Sequence, residues 1–299
     1  MGLRLPDRFL WDFWTITHGG THHLYALSAP RHADPETRHD AAQVEHATST
    51  DWRSWTHHGP ALEPGRPSAW DDMTIWTGSV AAVPPERGGG FAMLYTGRCR
   101  AENGRVQRVG LALSDDLYAW RKHPDPVIEA DPALYRTCDA AGECHWRDPW
   151  LEWRGGQWHA WITAQRPEGD AMLSGTVAHA TSDDLVRWTV HPPVTDEGLA
   201  EHLEVPQVLG VANGRERMLA STYAKHVPAA SPLPRACLSM LFERVGNEPF
   251  RFTRAVEAWP TDARYMVRRV APGVGLCWLG MQADGTFLGE IGEPFALDV

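Results

Sequence analysis

No run of apolar residues in this chain reaches the roughly 18 needed to cross a bilayer. Its opening, MGLRLPDRFLWDFW, carries no long apolar stretch of the kind found in a secretory leader. The expectation is a soluble, cytoplasmic protein with no membrane partner. Positive charge is also short. The 28 Lys and Arg stand against 38 Asp and Glu, a formal net charge of −10, and no basic cluster interrupts the balance. A nucleic-acid partner needs a basic face, so that class is excluded. Cysteine is scarce and irregular: Cys99, Cys138, Cys144, Cys237 and Cys277. An odd number at uneven spacing argues against a disulfide framework. Cys138, Cys144 and His145 lie close together, but no CxxC or HxxxH spacing follows, so neither a metal nor a cofactor is expected. Amphipathic helical stretches of about 10 residues or more are missing as well.

What the chain does have is tryptophan and histidine, 15 of each in 299 residues. With 43% hydrophobic residues a sizeable core is possible. Tryptophans fill such cores and also form stacking platforms in binding clefts.

A repeat organises these residues. The segments HATSTDWRSWTHHGPAL (46–62), GLALSDDLYAWRKHPDPVI (110–128) and AHATSDDLVRWTVHPPV (178–194) each read as strand, Ser-x-Asp, turn, Trp and second strand. Asp51, Asp116 and Asp184 are spaced by 65 and 68 residues, and Trp55, Trp120 and Trp188 keep the same spacing. Between them lie paired β-rich runs parted by Gly19-Gly20, Gly88-Gly89-Gly90 and Gly155-Gly156. These are hairpin signals. Each unit therefore holds about four antiparallel strands, and two weaker units follow. Four-stranded sheets repeated at this period predict an all-β fold, a five-bladed β-propeller in one domain over residues 1–299.

The repeat places acidic residues. Asp12 lies 11 residues before His23, and Asp148 lies 11 before His159, each separated by a strand and a Gly-Gly turn. Both begin a unit's first strand, the one that lines the channel of a propeller. Glu204, in EHLEVPQVLGV, is expected at the same position in the fourth unit. Three carboxylates should then meet at one end of the channel. Like charges brought together raise at least one pKa, an expensive arrangement unless it serves chemistry. The chemistry it suits is glycoside cleavage: one carboxylate attacks, a second acid of raised pKa protonates the leaving oxygen, and a third holds sugar hydroxyls. Trp11, Trp14, Trp76, Trp146 and Trp150 flank these positions as walls for a sugar. Asp71 and Asp72 precede the second unit, within reach of the mouth or as turn caps, and Asp72 is counted among the substrate-binding candidates.

At these residues the chain resembles the five-bladed propeller glycosidases of glycoside hydrolase families 32 and 68, and more distantly family 43. Arg147-Asp148-Pro149 is similar to their Arg-Asp-Pro motif, whose Asp stabilises the transition state. Trp76-Thr77-Gly78-Ser79 resembles their aromatic-Ser-Gly-Ser substrate motif. Glu204-Val205-Pro206 resembles Glu-Cys-Pro, whose Glu is the general acid/base. The resemblance puts Asp12 at the nucleophile and Arg147, Trp76 and Ser79 in motifs around the substrate, and Trp11, Trp14 and Asp72 join them as substrate-binding candidates by position. It departs at Trp11-Asp12-Phe13-Trp14, where family 32 carries Asn-Asp-Pro-Asn-Gly, at Val205 in place of Cys, and in the family's usual C-terminal β-sandwich, which does not follow the fifth unit. Arg147 is expected to keep Asp148 ionised. The implied activity is a retaining glycosidase or transglycosylase on a small β-fructofuranoside such as sucrose or a short fructan. An inverting pentosidase, a biosynthetic enzyme reusing the acidic pocket, and a non-catalytic binding propeller stay open beside it.

Overall fold

A computed structural model describes residues 2–31, 34–138, 145–259 and 263–299. Five antiparallel four-stranded sheets follow one another along the chain. Blade 1 is β1 (Arg8–His18), β2 (Thr21–Pro30), β3 (Gln43–Ser49) and β4 (Thr56–Leu62). Blade 2 is β5 (Thr74–Ala82), β6 (Phe91–Arg98), β7 (Gln107–Ser114) and β8 (Arg121–Lys122). Blade 3 is β9 (Arg147–Arg154), β10 (Gln157–Gln165), β11 (Gly175–Ser182) and β12 (Thr189–His191). Blade 4 is β13 (Glu204–Ala212), β14 (Arg215–Thr222), β15 (Cys237–Arg244) and β16 (Arg251–Trp259). Blade 5 is β17 (Arg264–Ala271), β18 (Val274–Met281), β19 (Phe287–Ile291) and β20 (Phe295–Ala296). This is the five-bladed propeller that the repeat predicts. No helix among the described residues is long and apolar enough to cross a membrane.

Local chemistry explains the strands' ends. Gly19-Gly20, Gly155-Gly156 and Asn213-Gly214 all have positive φ and close the first hairpins of blades 1, 3 and 4. Two-residue turns of that handedness match the twist of the strands they join. The Ser-x-Asp repeat is a second turn device, between third and fourth strands. The Oδ1 of Asp51 accepts from the N–H groups of Arg53 (2.8 Å) and Ser54 (2.7 Å), and those of Asp116 and Asp184 accept in the same way. The residue after each Asp, Trp52, Leu117 or Leu185, adopts a left-handed φ of 62–69° and is buried. The repeat that reveals the fold is therefore structural.

The ring closes through the N-terminus. Leu3 and Ile291 exchange backbone hydrogen bonds of 2.9 and 3.0 Å, which adds the chain's first residues to blade 5. The core lies between facing blades. Leu94 and Leu111 of blade 2, for example, pack with Leu151, Trp158 and Ile162 of blade 3. Imidazoles cross two of the blades in matching ladders. His23, His46 and His58 span β2, β3 and β4, with His23 Nδ1 3.0 Å from His46 Nε2. His159, His179 and His191 repeat this in blade 3, with a first step of 2.9 Å. Cys138 is disulfide-bonded, which removes it as a thiolate ligand, and Cys144 lies outside the described residues.

Candidate active site

Every blade's first strand carries a β-bulge near its start. Trp11 pairs with Leu27 and Phe13 with Ala26, leaving Asp12 as the extra residue. Thr77 and Met266 are extra in β5 and β17. The pairs Arg147–Thr163 and Glu204–Ser221 place the same irregularity at Asp148-Pro149 and Val205-Pro206. Bulges re-aim side chains. The residues just before them, Trp11, Trp76, Arg147, Glu204 and Tyr265, one per blade, all line a single cavity of about 460 Å³. Asp12, Thr77 and Asp148 line it as well.

This register corrects one expectation. Glu204 is the equivalent of Arg147, not of Asp12 and Asp148, because Pro206 aligns with Pro149. The three carboxylates still share the cavity, but Glu204 reaches it from a different point of the pleat. The extra position costs strain: Asp148 and Val205 have φ of 57° and 48°, in a region that side chains other than glycine seldom adopt.

The bulge leaves polar groups to be satisfied, and threonines do so. Thr77 Oγ1 donates to Asp12 Oδ2 at 2.6 Å. The N–H of Asp148 donates to Thr96 Oγ1 at 3.0 Å, and Thr96 Oγ1 donates in turn to the carbonyl of Thr77 at 3.0 Å. Thr163 Oγ1 and the N–H of Val205 donate to Asp148 Oδ2 at 3.1 and 3.2 Å. Blades 1 to 4 are thus tied together beneath the acids.

Charge is distributed against expectation. Arg147 gives its short contact, 2.6 Å from Nη2, to Glu204 Oε1 and stands 3.6 Å from Asp148 Oδ2. Tyr265 donates its hydroxyl to the other oxygen of Glu204. Burial opposes ionisation of Glu204, but Arg147, His202 and His226 together outweigh it and hold the carboxyl well below its usual range. Asp148 goes the other way. Burial, with Asp12 and Glu204 adding repulsion, lifts it to about 7 despite Arg147. Burial also raises Asp12, partly offset by the Thr77 hydroxyl. Arg147 therefore does not keep Asp148 fully ionised at neutral pH, and Glu204 is not the acid whose pKa is raised. Near neutrality the proton resides on the Asp12/Asp148 side of the trio. Arg268, buried and facing both aspartates, has its own pKa lowered to about 10 by burial.

Three expected substrate contacts do not line the cavity. Ser79 Oγ accepts from the N–H of Leu151 at 2.7 Å, a tie between blades. Trp14 is fully buried against Tyr25. Asp72 caps a turn, accepting from the N–H groups of Ser68 and Arg100 at 2.9 and 2.8 Å. Trp146 is a core residue bonded to the carbonyl of Ile128, and Trp150 does not line the cavity either. Trp11 and Trp76 do line it. The Trp76 indole donates to the carbonyl of His39 at 2.8 Å while the Arg98 guanidinium lies 4.1 Å over its ring. Tyr265, Thr96, Thr163, Arg268 and His202 are not singled out from sequence, and His145 is weighed there only beside Cys138 and Cys144. Tyr265 was recoverable, since it precedes the bulge of the fifth unit as Arg147 and Glu204 do in theirs.

His145, Glu201 and His202 bring ligand atoms within 4.8 Å of one another beside this cavity. The set does not fit a metal. Arg147 Nη1 lies 2.7 Å from His145 Nδ1, and a guanidinium only donates. That nitrogen must hold the lone pair, so a neutral His145 carries its proton on Nε2, the nitrogen a metal would need.

This five-bladed propeller gathers three carboxylates, one buried and two partly buried, at one cavity, a set suited to glycoside cleavage. The model of the glycosyl hydrolases family 32 N-terminal domain matches residues 14–240, which holds Asp148 and Glu204 and starts just after Asp12. The chain belongs to glycosyl hydrolase family 32 and is a glycosidase or transglycosylase. Among proteins with curated functions, none matches it in sequence. Solved structures share its fold. An inulosucrase from Halalkalicoccus jeotgali bound to kestose superposes with a TM-score of 0.80 at 21% identity, covering 100% of this chain and 88% of that one. A levansucrase from Gluconacetobacter diazotrophicus gives 0.82 at 15% identity, covering 99% and 79%. The β-fructofuranosidase catalytic domain from Microbacterium saccharophilum K-1 gives 0.79 at 14% identity, covering 100% and 80%.

Proposed function

We propose that this protein cleaves or transfers the fructosyl group of a small β-fructofuranoside, with retention, using Asp12 as nucleophile, Glu204 as acid/base and Asp148 as stabiliser. The observation that carries the reading is the convergence of these three acids on one cavity of about 460 Å³ in a family 32 chain. The inulosucrase, levansucrase and β-fructofuranosidase that share the fold support fructosyl chemistry.

Asp12 attacks the anomeric carbon of the fructosyl ring while the bond to the leaving oxygen breaks and Glu204 donates its proton to that oxygen. Glu204, now ionised, takes a proton from water or from an acceptor hydroxyl, which displaces Asp12. Asp148 accepts from ring hydroxyls and faces the positive charge that develops. Thr77 aims Asp12, and Arg147 with Tyr265 holds Glu204. The reactive form needs Glu204 protonated, whereas Arg147 with His202 keeps Glu204 ionised and burial draws the proton towards Asp148. The trio therefore reacts as a unit with one shared proton, and its apparent pKa values belong to the set.

The reading is tested by chromatography of wild type, Asp12→Asn and Glu204→Gln on sucrose, short fructo-oligosaccharides, levan, an aryl α-L-arabinofuranoside and an aryl β-D-xyloside. Fructose release that both substitutions abolish supports it. Pentose release moves the enzyme to the arabinosidase or xylosidase class. No turnover by folded protein removes the fructoside assignment.

A further inference from the structure

Two histidines complete a ring of polar contacts around the proposed acid/base. Arg147 Nη1 is 2.7 Å from His145 Nδ1, His145 Nε2 is 3.2 Å from His202 Nε2, and His202 Nδ1 is 3.5 Å from Glu204 Oε1. Arg147 Nη2 closes the ring on the same oxygen at 2.6 Å. Both imidazoles are buried, at 9% and 5% exposure.

The direction of every proton follows from one fact, that guanidinium has no lone pair. His145 Nδ1 must accept from Arg147. A neutral His145 then carries its proton on Nε2 and donates to His202 Nε2. That contact leaves the proton of His202 on Nδ1, directed at Glu204. Charging either ring would set two N–H groups face to face, or an N–H against the guanidinium. Burial and the neighbouring Arg147 both disfavour the cationic forms of the two histidines. The last step, at 3.5 Å, is long for a hydrogen bond and is a directed polar contact. Among the described residues, His202 Nδ1 has no closer partner.

We propose that His145 and His202 form a tautomer-locked pair, and that His202 is a positioning residue which directs a neutral Nδ1–H at Glu204, fixing its orientation and setting the pH at which it takes up a proton. The importance of Glu204 rests on the function proposed above, but the pair's effect on it does not.

Other charged and titratable groups face Glu204. Arg147 and Asp148 do so from β9, Asp12 from β1 and Tyr265 from β17. Tyr223, Lys225 and His226 lie at and after the end of β14, with Glu201 bonded to His226 at 2.6 Å, and His39 faces from the segment before β3. Substituting His202 removes none of these groups, but His226 packs against its ring at 4.2 Å and Glu201 stands 3.7 Å from its Nε2, so the comparison of two His202 variants is what reports the donor.

The test uses no substrate, so its outcome is separable from that of the fructosidase assay. Protein labelled with 13C at glutamate carboxyls is titrated by NMR, with the Glu204 signal identified by its loss in Glu204→Gln. His202→Phe removes the donor, and the Glu204 midpoint should rise by about one pH unit, tenfold in proton affinity. His202→Asn retains an N–H near the Nδ1 position and should stay close to wild type. A His202→Phe midpoint that coincides with wild type overturns the proposal. If that variant does not fold, 15N spectra of wild-type imidazoles decide. His145 protonated on Nε2 with His202 protonated on Nδ1 is the expected pair of tautomers, and any other pair overturns it.

Discussion

Acidification should destabilise this protein through its imidazole ladders, and one substitution isolates the effect. His46 is 2% exposed, stacked on Tyr25, and bonded to His23. Burial pulls its pKa from 6.5 to about 3, with His23 and His58 adding repulsion. A histidine whose folded pKa is depressed contributes stability that is fully present above the unfolded value. That stability is lost as pH falls below 6.5 towards the folded value. At about pH 5 the unfolded imidazole binds a proton and the native one does not. The difference is RT ln(1 + 10^(6.5−5)), or about 2 kcal/mol. Other groups titrate over the same range, including Asp148, whose raised pKa acts in the opposite direction. Comparing wild type with His46→Gln cancels them. Urea unfolding of both proteins near pH 8 and near pH 5 gives four free energies. The variant starts lower because it loses packing, but it should lose about 2 kcal/mol less on acidification. Equal pH dependence in the two proteins would refute the reasoning.

Three further outcomes are expected. Ser79→Ala strands the N–H of Leu151 and should lower stability by about 1–2 kcal/mol in urea unfolding while leaving KM unchanged. A raised KM would return Ser79 to the substrate. Thr77→Val removes the donor to Asp12, and kcat should fall about tenfold or more with unchanged circular dichroism. Because burial lifts Asp148 to about 7 and the trio shares its proton, kcat/KM measured against pH should decline above that value. A plateau extending to about pH 9 contradicts the shared-proton account.

Much of the architecture was legible because the propeller repeats. The Ser-x-Asp turns at Asp51, Asp116 and Asp184 recur for a physical reason, since each must cap two N–H groups and force the next residue into a left-handed, buried position. Glycine pairs marked the hairpins for the same kind of reason. The carboxylates at Asp12 and Asp148 were legible from their constant distance to a hairpin. What could not be read was the exact pleat. A bulge adds one residue and turns the side chains that follow, so Trp14 and Ser79 were assigned to the cavity although they face the core. Aligning Pro149 with Pro206 would have shown Glu204 opposite Arg147, and with it the contact that reverses the expected charge states. Thr96, Thr163, Arg268 and the His145–His202 pair reach the site from second strands, connecting segments and another blade, and no local spacing announces them.

The most direct test of the account is to trap the enzyme during turnover. Wild-type protein mixed with sucrose is quenched in acid within the first turnovers, digested and mapped by mass spectrometry. The account predicts one anhydrohexose unit covalently held on the peptide containing Asp12, absent from Asp12→Asn. Turnover with no adduct, or an adduct on another carboxylate, would contradict it.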